Sequence, residues 1–218
     1  AKVLENKHIT PSTIHLKVST PGDFNFTPGQ FVSFIFSIDG KEIRRPYSIA
    51  STPAPGSVEF CIKVVLNGQA TPLLEKMKVG EEIDAMGPMG VFGIKDQSKD
   101  LVFISTGTGI GPFRSIISDL LQKGTQNKIM LITGYRHEED ALYESELDQL
   151  QKKYKNFSYY RILSTGKNSG HVQVLIEKHF NPNAHYYLCG LKKMVVSVTE
   201  LLVQKGIDKK SIFFEKYD

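Results

Sequence analysis

The sequence feature that most constrains the fold is an apolar run at residues 101–105 that leads into a glycine-rich turn at 106–111 and then into a helical stripe. In that stripe, apolar residues stand at positions 113, 116, 117, 120 and 121, which is the spacing of one helix face. The alternation continues, and it predicts strands at 128–133, 157–163, 184–189 and 211–214 and helices at 112–123, 143–154, 172–179 and 192–205. Such alternation is typical of a doubly wound parallel sheet, an α/β fold.

Residues before about position 98 follow a different pattern of short strands and frequent turns. Polar–apolar alternation and β-branched or aromatic runs predict strands at 13–18, 30–36 and 57–65. One short helix is predicted at 71–77, with Thr71 placed to cap it and Pro72 at its first position. We therefore predict two domains, an antiparallel β-barrel over 1–97 and an α/β doubly wound domain over 98–218.

Composition and charge narrow the class of protein. The chain has 218 residues, of which 40% are hydrophobic and 23% charged, as in ordinary globular proteins. It has no apolar run of membrane-spanning length and a polar N-terminus without signal-peptide character, so we expect a cytoplasmic protein, and a monomer. Residues 99–218 hold seventeen basic and thirteen acidic side chains. This excess suits an anionic nucleotide or an acidic protein partner, or simply a solvated surface, and no nucleic-acid module is evident.

Metal-ligating residues are sparse. The two cysteines, Cys61 and Cys189, lie far apart, whereas an iron–sulfur cluster usually needs four thiolates. The six histidines show no ligand spacing. We therefore predict no metal site and no iron–sulfur cluster in these residues.

The segment Arg45-Pro46-Tyr47-Ser48 carries the chemistry of a cofactor site. Arginine binds a diphosphate in a bidentate fashion, tyrosine offers a flat ring, and an adjacent serine hydroxyl can hydrogen-bond a ring nitrogen. In a strand, Arg45 and Tyr47 share one face and Pro46 and Ser48 the other. The residues alone also fit an edge strand with a surface arginine and a packed tyrosine.

In context, this segment resembles the flavin-binding signature of the ferredoxin–NADP reductase superfamily. Three further segments resemble that family's motifs in the family's order: Phe-Thr-Pro-Gly-Gln-Phe-Val at 26–32, Gly-Gln-Ala-Thr-Pro-Leu-Leu at 68–74 and Gly-Pro-Met-Gly-Val-Phe at 87–92. The resemblance covers nearly the whole chain. It implies a reductase that binds FAD in the first domain and a nicotinamide nucleotide in the second.

The resemblance also implies roles for individual residues in the first domain. Arg45 would bind the FAD diphosphate, Tyr47 would pack on the flavin, and Ser48 would approach the hydride-accepting N5 atom. Pro46, between Arg45 and Tyr47, is a further implied FAD contact. The remaining implied FAD contacts run along the ribityl chain and the phosphates, and comprise Ile62, Lys63, Val64, Gly68, Gln69, Ala70 and Thr71.

The glycine-rich turn resembles the family's nucleotide-binding turn. The implied contacts to NAD(P) are Thr106, Gly107, Thr108, Gly109, Ile110, Arg136, Ser164, Cys189 and Gly190. Cys189 would position the nicotinamide near its reacting carbon and would not act as a nucleophile. Leu191 stands where the family commonly has proline. The C-terminus resembles those that bring an aromatic ring and an acid, here Glu215, to the flavin, so the implied catalytic residues are Ser48, Cys189 and Glu215.

The donor and acceptor stay open on the sequence alone. Arg136 and Lys167 suit the 2′-phosphate of NADPH, whereas the acidic residues at 138–140 oppose it and favour NADH slightly. The implied reaction passes hydride from NAD(P)H to FAD and then electrons to ferredoxin, flavodoxin or an oxygenase component. A free-flavin reductase and a non-catalytic nucleotide-binding module are the alternatives.

Overall fold

The computed structural model describes residues 1–167 and 169–217 and divides the chain into two compact units. The first unit comprises Ala1–Gly93 together with Gly111–Asp119. The second comprises Ile94–Ile110 and the chain from Leu120 onward. The division therefore falls at 93/94, where the sequence predicted 97/98, and a helical segment from the second half of the chain is part of the first unit.

The first unit consists of two three-stranded antiparallel sheets with strand orders β1-β2-β5 and β4-β3-β6. Their inward side chains form one core around Phe34, Phe60 and Leu16, none of which is exposed. This arrangement confirms the predicted antiparallel β fold. The elements are β1 (Val3–Thr10), β2 (Thr13–Ser19), β3 (Phe31–Ile38), β4 (Lys41–Ser48), β5 (Ser57–Lys63), α1 (Thr71–Lys76) and β6 (Asp84–Met89).

The second unit is a five-stranded parallel sheet with the order β11-β10-β7-β8-β9. The predicted α/β class is confirmed. One face of the sheet packs against α4 and α5 through a core that includes Val102, Ile132 and Leu188. The elements are β7 (Asp100–Thr106), α2 (Ile110–Gln122), β8 (Ile129–Tyr135), α3 (Glu144–Lys153), β9 (Phe157–Leu163), α4 (Val172–Lys178), β10 (Ala184–Leu191), α5 (Lys192–Gln204) and β11 (Ile212–Tyr217).

The strand order reverses at β7. From β7 the chain proceeds outward to β8 and β9, and then returns to form β10 and β11 on the other side. In doubly wound sheets, ligands bind outside the carboxyl ends of the strands at such a switch point. The fold therefore selects the ends of β7 and β10 as the binding position in this unit.

Periodicity predicted the buried strands well and the irregular ones poorly. The strand predicted at 157–163 has the bounds of β9, and the others agree within a few residues. The strands β1 and β6 were not predicted, because β1 buries mainly its two ends and β6 is largely exposed. β6 also contains a cis Gly87–Pro88 peptide bond. Within the described residues, no helix has the length and apolar character needed to cross a bilayer.

A buried histidine lies at the junction of β2, β5 and α2. His15 is 7% exposed, and its Nε2 lies 3.9 Å from Oε2 of Glu59. Burial lowers the pKa of His15, with Arg114 and Lys7 acting in the same direction and Glu59 and Glu5 opposing it. His15 is therefore neutral in the folded protein near pH 7.

We expect His15 to make the first unit less stable in acid. Because its folded pKa lies below the unfolded value near 6.5, the unfolded chain binds the proton first, and stability falls as pH drops below about 6.5. His15→Gln should reduce the loss of melting temperature between pH 7.5 and pH 5.5. His171→Gln, at an exposed position, is the control. An equal acid sensitivity in His15→Gln and wild type would contradict the assignment.

Candidate functional site

The predicted flavin signature forms the end of β4. Arg45 and Pro46 are exposed, and Tyr47 and Ser48 are half-buried. The Arg45 guanidinium donates one hydrogen bond, from Nη1 to the Arg44 carbonyl oxygen at 3.0 Å. No carboxylate in the described part of the chain pairs with it, whereas the neighbouring Arg44 pairs with Glu42 at 2.7 Å. Arg45 therefore retains the donors that a diphosphate needs.

Tyr47 is fixed against the core of the first unit. It pairs with Val32 across β3 and β4, and its ring centroid lies 5.6 Å from that of Phe34. Burial raises the pKa of Tyr47 to about 12, so the phenol is neutral and remains a hydrogen-bond donor. The packing leaves the ring in one position, half open to solvent, as a flat surface for a second ring.

The predicted phosphate segment forms a tight loop before α1. The Gly68 nitrogen donates to the Val65 carbonyl at 2.8 Å, and the Val65 nitrogen donates to Thr71 Oγ1 at 2.9 Å. A Cβ at Gly68 would lie 3.0 Å from that carbonyl oxygen, so a side chain here would require the loop to shift by a few tenths of an ångström. The Thr71 hydroxyl, predicted to hold phosphate, already accepts a bond inside this loop.

The start of α1 suits an anion. Its N-cap, Ala70, offers no side-chain acceptor, and the first turn contains no acidic residue. The positive end of the helix is therefore not neutralised by a side chain. Gln69 is exposed beside it, while Ala70 itself is buried.

The segment Ile62-Lys63-Val64 divides between core and surface. Ile62 and Val64 are 1% and 7% exposed and belong to the core of the first unit, and only Lys63 presents its side chain to solvent. Any contact of the two apolar residues with a cofactor is therefore limited to their backbone atoms.

The glycine-rich turn lies at the switch point, at the end of β7. It forms a short 3-10 turn, Gly107–Gly109, that leads directly into α2. Gly107 has a positive φ of 52°, and no atom lies within 4 Å of the place where its Cβ would be. Thr106, Gly107 and Thr108 are partly exposed, whereas Gly109 and Ile110 are buried. Of the five residues of this turn predicted to contact the nucleotide, the first three are therefore the accessible ones.

Two glycines bring the ends of β7 and β10 into direct backbone contact. A Cβ at Gly109 would lie 2.2 Å from the Cys189 carbonyl oxygen, and one at Gly190 would lie 2.4 Å from Thr106 Oγ1. Gly190 also has a φ of 145°, which side chains rarely adopt. Both glycines were predicted as nucleotide contacts, and the structure gives each of them a packing role.

Cys189 is fully buried under the C-terminal strand. It pairs with Glu215 across β10 and β11, and its thiol forms a hydrogen bond with Tyr217. Burial raises the pKa of Cys189 strongly, so the thiol stays protonated and is not a nucleophile. Of the aromatic residues near the C-terminus, Phe213 stacks on Tyr187 at 4.8 Å, and Phe214 is exposed.

Arg136 and Ser164 meet at the ends of the adjacent strands β8 and β9. The Ser164 nitrogen donates to the Tyr135 carbonyl at 2.9 Å, and the Thr165 hydroxyl donates to the Arg136 carbonyl. Arg136 itself is exposed. The structure thus brings together the two residues predicted for the adenosine half of the nucleotide.

One charged cluster at these strand ends was not predicted. Arg161 on β9 pairs with Glu138 and with Glu144, each at 2.7 Å. The side chains come from a strand, a turn and a helix start, so no local motif connects them. Only the three-dimensional register of β8 and β9 brings them together.

The residues present fit the two cofactors that the motifs imply. Arg45 and the uncapped start of α1 suit a diphosphate, and the half-buried ring of Tyr47 suits a flavin. The open turn at Gly107 and the buried Ser105 hydroxyl, which has no hydrogen-bond partner within the described part of the chain, suit a nucleotide at the switch point. Nowhere in residues 1–167 and 169–217 do three or more His, Cys, Asp or Glu side chains form a metal-binding group.

Two family models match the chain in succession. The oxidoreductase FAD-binding domain matches residues 1–94, and the oxidoreductase NAD-binding domain matches residues 103–200. Ferredoxin–NADP reductase B of Sorangium cellulosum is 33% identical over 213 residues, covering 89% of this chain and 86% of that protein. The reductase component of phenol 2-monooxygenase from Pseudomonas is 31% identical over 94% of this chain, which spans only 60% of that relative.

Solved structures agree with this assignment. Ferredoxin–NADP reductase from Plasmodium falciparum has a TM-score of 0.86 at 25% identity and covers 99% of this chain and 95% of its own. The Amycolatopsis cytochrome P450 reductase GcoB has a TM-score of 0.90, and the match covers 99% of this chain and 68% of the GcoB chain. Because the sequence identity is only 23%, this similarity shows the fold alone.

The fold, the donor sets and these matches define a flavoprotein oxidoreductase that uses FAD and a nicotinamide nucleotide. Within that class, the chain belongs to the ferredoxin–NADP reductase superfamily.

We expect Gly190→Ala to destabilise the second unit. The added Cβ meets Thr106 at 2.4 Å, and the φ of 145° is unfavourable for alanine, which together cost about 2–5 kcal/mol. Gly206→Ala, where φ is also positive but no atom lies within 4 Å, should cost about 1 kcal/mol. Urea unfolding measures both values. Equal losses in the two variants would show that the contact with Thr106 is unimportant.

Proposed function

We propose that the chain carries electrons from NADH through FAD to a separate electron-acceptor protein, namely a ferredoxin, a flavodoxin or an oxygenase component. The observation that carries the proposal is that one chain contains both an FAD-type donor set on β4 and α1 and a nucleotide-type turn at the sheet switch point. When bound, FAD and the nicotinamide supply the redox chemistry, and the protein supplies binding, orientation and exclusion of water.

Each implied residue has a task that its surroundings support. The free guanidinium of Arg45 holds the diphosphate, and Tyr47 supports the flavin ring from a position fixed by Phe34. Ser48 offers a hydroxyl beside the ring, and Cys189 shapes the nicotinamide position as a neutral thiol. Glu215, beside Cys189 in the sheet, is the acid nearest this thiol in register. No side chain has to exchange a proton in the hydride step.

The acceptor is inferred from the relatives and from charge. Relatives of this chain include a ferredoxin–NADP reductase and reductase components of phenol and naphthalene oxygenases. The basic excess of residues 99–218 suits an acidic partner. Two cysteines cannot supply the four thiolates of an iron–sulfur cluster, so an iron–sulfur acceptor would lie outside these 218 residues.

A spectroscopic experiment tests the reductase function. The purified protein should be yellow, and anaerobic NADH should bleach its visible flavin bands. Adding ferredoxin or flavodoxin should then accelerate reduction of cytochrome c. A colourless protein whose rate saturates with added flavin would instead indicate a free-flavin reductase. A protein that binds nucleotides but never bleaches would indicate a non-catalytic module.

The donor preference rests on the charge at the ends of β8 and β9. Glu138 and Glu144 together carry one more negative charge than Arg161 carries positive charge. Because dinucleotide-binding folds often bind the adenosine ribose with an acid that follows the second strand, we infer that the ribose binds beside this cluster. A carboxylate accepts a hydrogen bond from a free 2′-hydroxyl and repels a 2′-phosphate. Arg136 and Lys167 oppose this effect, and solvent screens them as it screens the exposed Glu138, whereas Glu144 is half-buried.

We expect the double variant Glu138→Gln/Glu144→Gln to weaken the preference for NADH. The ratio of kcat/KM for NADH to that for NADPH should fall about tenfold, which corresponds to about 1.4 kcal/mol. The dissociation constants of NAD⁺ and NADP⁺ should shift in the same sense. Glu177→Gln, an exposed acid on α4, is the control. A wild-type protein that prefers NADPH would refute the donor assignment and leave the reductase function intact.

A further inference from the structure

Two residues of α2 bind the backbone that directly follows the flavin signature. Arg114 Nη1 donates to the Ala50 carbonyl oxygen at 2.9 Å, and Ser115 Oγ donates to the Ser51 carbonyl oxygen at 2.5 Å. Ala50 and Ser51 are the fifth and sixth residues after Arg45. All of these residues belong to the first unit.

The same short segment is also bound from β5. The Ala50 nitrogen donates to the Glu59 carbonyl at 2.7 Å, and the Glu59 nitrogen donates to Ser51 Oγ at 3.1 Å. Four polar groups of the Ala50–Ser51 dipeptide therefore form hydrogen bonds within the first unit: both carbonyls, the Ala50 N–H and the Ser51 hydroxyl. Such a segment has little freedom to shift along the strand.

A largely buried ion pair holds Arg114 in place. Arg114 Nη1 also donates to Glu59 Oε2 at 2.7 Å, and the two side chains are only 17% and 22% exposed. His15 and Lys17 approach the same carboxylate, each at 3.9 Å. Because a buried charge without its partner is costly, the guanidinium stays on Glu59 and therefore on Ala50.

Other residues of α2 pack around this contact. Ser115 is fully buried, and a Cβ at Gly111 would lie 3.9 Å from the Ala50 Cβ and 3.8 Å from the Cys61 Cβ. Phe113 on the same helix is fully buried and lies 6.0 Å from Phe92, centroid to centroid. The start of the helix thus lies directly against the end of the signature.

We propose that Arg114 and Ser115 are positioning residues for the flavin. By binding the Ala50 and Ser51 carbonyls, they fix the backbone that follows Tyr47 and Ser48, and they give Ser51, which lies shortly after the signature, a task that involves no contact with the cofactor. The proposal rests on FAD binding by this chain and is independent of the donor and acceptor.

Three variants separate positioning from simple stability. Arg114→Met removes the donor and leaves the Glu59 carboxylate with only His15 and Lys17, each at 3.9 Å, so it should lower both the melting temperature and the affinity for FAD. Arg114→Met/Glu59→Gln also removes the carboxylate charge, and it should recover most of the melting temperature. Ser115→Ala removes one hydrogen bond without changing any charge.

The readouts are the FAD dissociation constant, from fluorescence titration of the flavin-free protein, and the visible circular dichroism of bound FAD. The double variant should still bind FAD about tenfold more weakly than wild type and show an altered dichroism spectrum. Ser115→Ala should weaken binding about fivefold with little change in melting temperature. Glu5→Gln, which breaks the exposed Lys7–Glu5 pair, should change neither readout.

Wild-type FAD affinity and dichroism in both the double variant and Ser115→Ala would overturn the positioning role while leaving FAD binding in place. A wild-type protein that binds no FAD would overturn the cofactor assignment and this proposal together.

Discussion

The second unit depends on the contact between the ends of β7 and β10. The backbone of Gly109 lies so close to the Cys189 carbonyl oxygen that a Cβ on residue 109 would be only 2.2 Å from it. This approach is possible only because residue 109 is glycine. That contact sets the path of the glycine-rich turn, and the turn sets where α2 begins, at Ile110. The partly exposed position of Thr106, Gly107 and Thr108 is therefore a consequence of one steric requirement.

Arginine is used in three physically distinct ways in this chain. Arg45 is exposed and has no carboxylate partner in the described residues, so its charge is available to an anion. Arg114 is largely buried, and its charge is matched by Glu59. Arg161 is outnumbered by two carboxylates, so its surroundings are acidic overall. The partners of each guanidinium, more than the residue type, determine which role it has.

The sequence predicted most of the fold, and it named candidate site residues that stay predictions. Periodicity located the parallel strands and their helices, because the central strands β7 and β10 are almost continuously buried. Motif resemblance singled out Arg45, Gly107 and Cys189, because cofactor binding requires particular residue types. The Arg114 and Arg161 networks escaped prediction because their partners are distant in sequence. The burial of Ile62, Val64 and Ile110 was also not predicted, because it depends on which side of each strand or helix start faces the core.

The burial of Cys189 has a consequence for the durability of the protein. Oxidation of cysteine begins at the thiolate, and a thiol with a strongly raised pKa and no exposed surface offers almost none. Cys189 is therefore protected from peroxide and from disulfide exchange. A redox protein can in this way keep a sulfur atom in the core of its sheet without that sulfur becoming a target of oxidation.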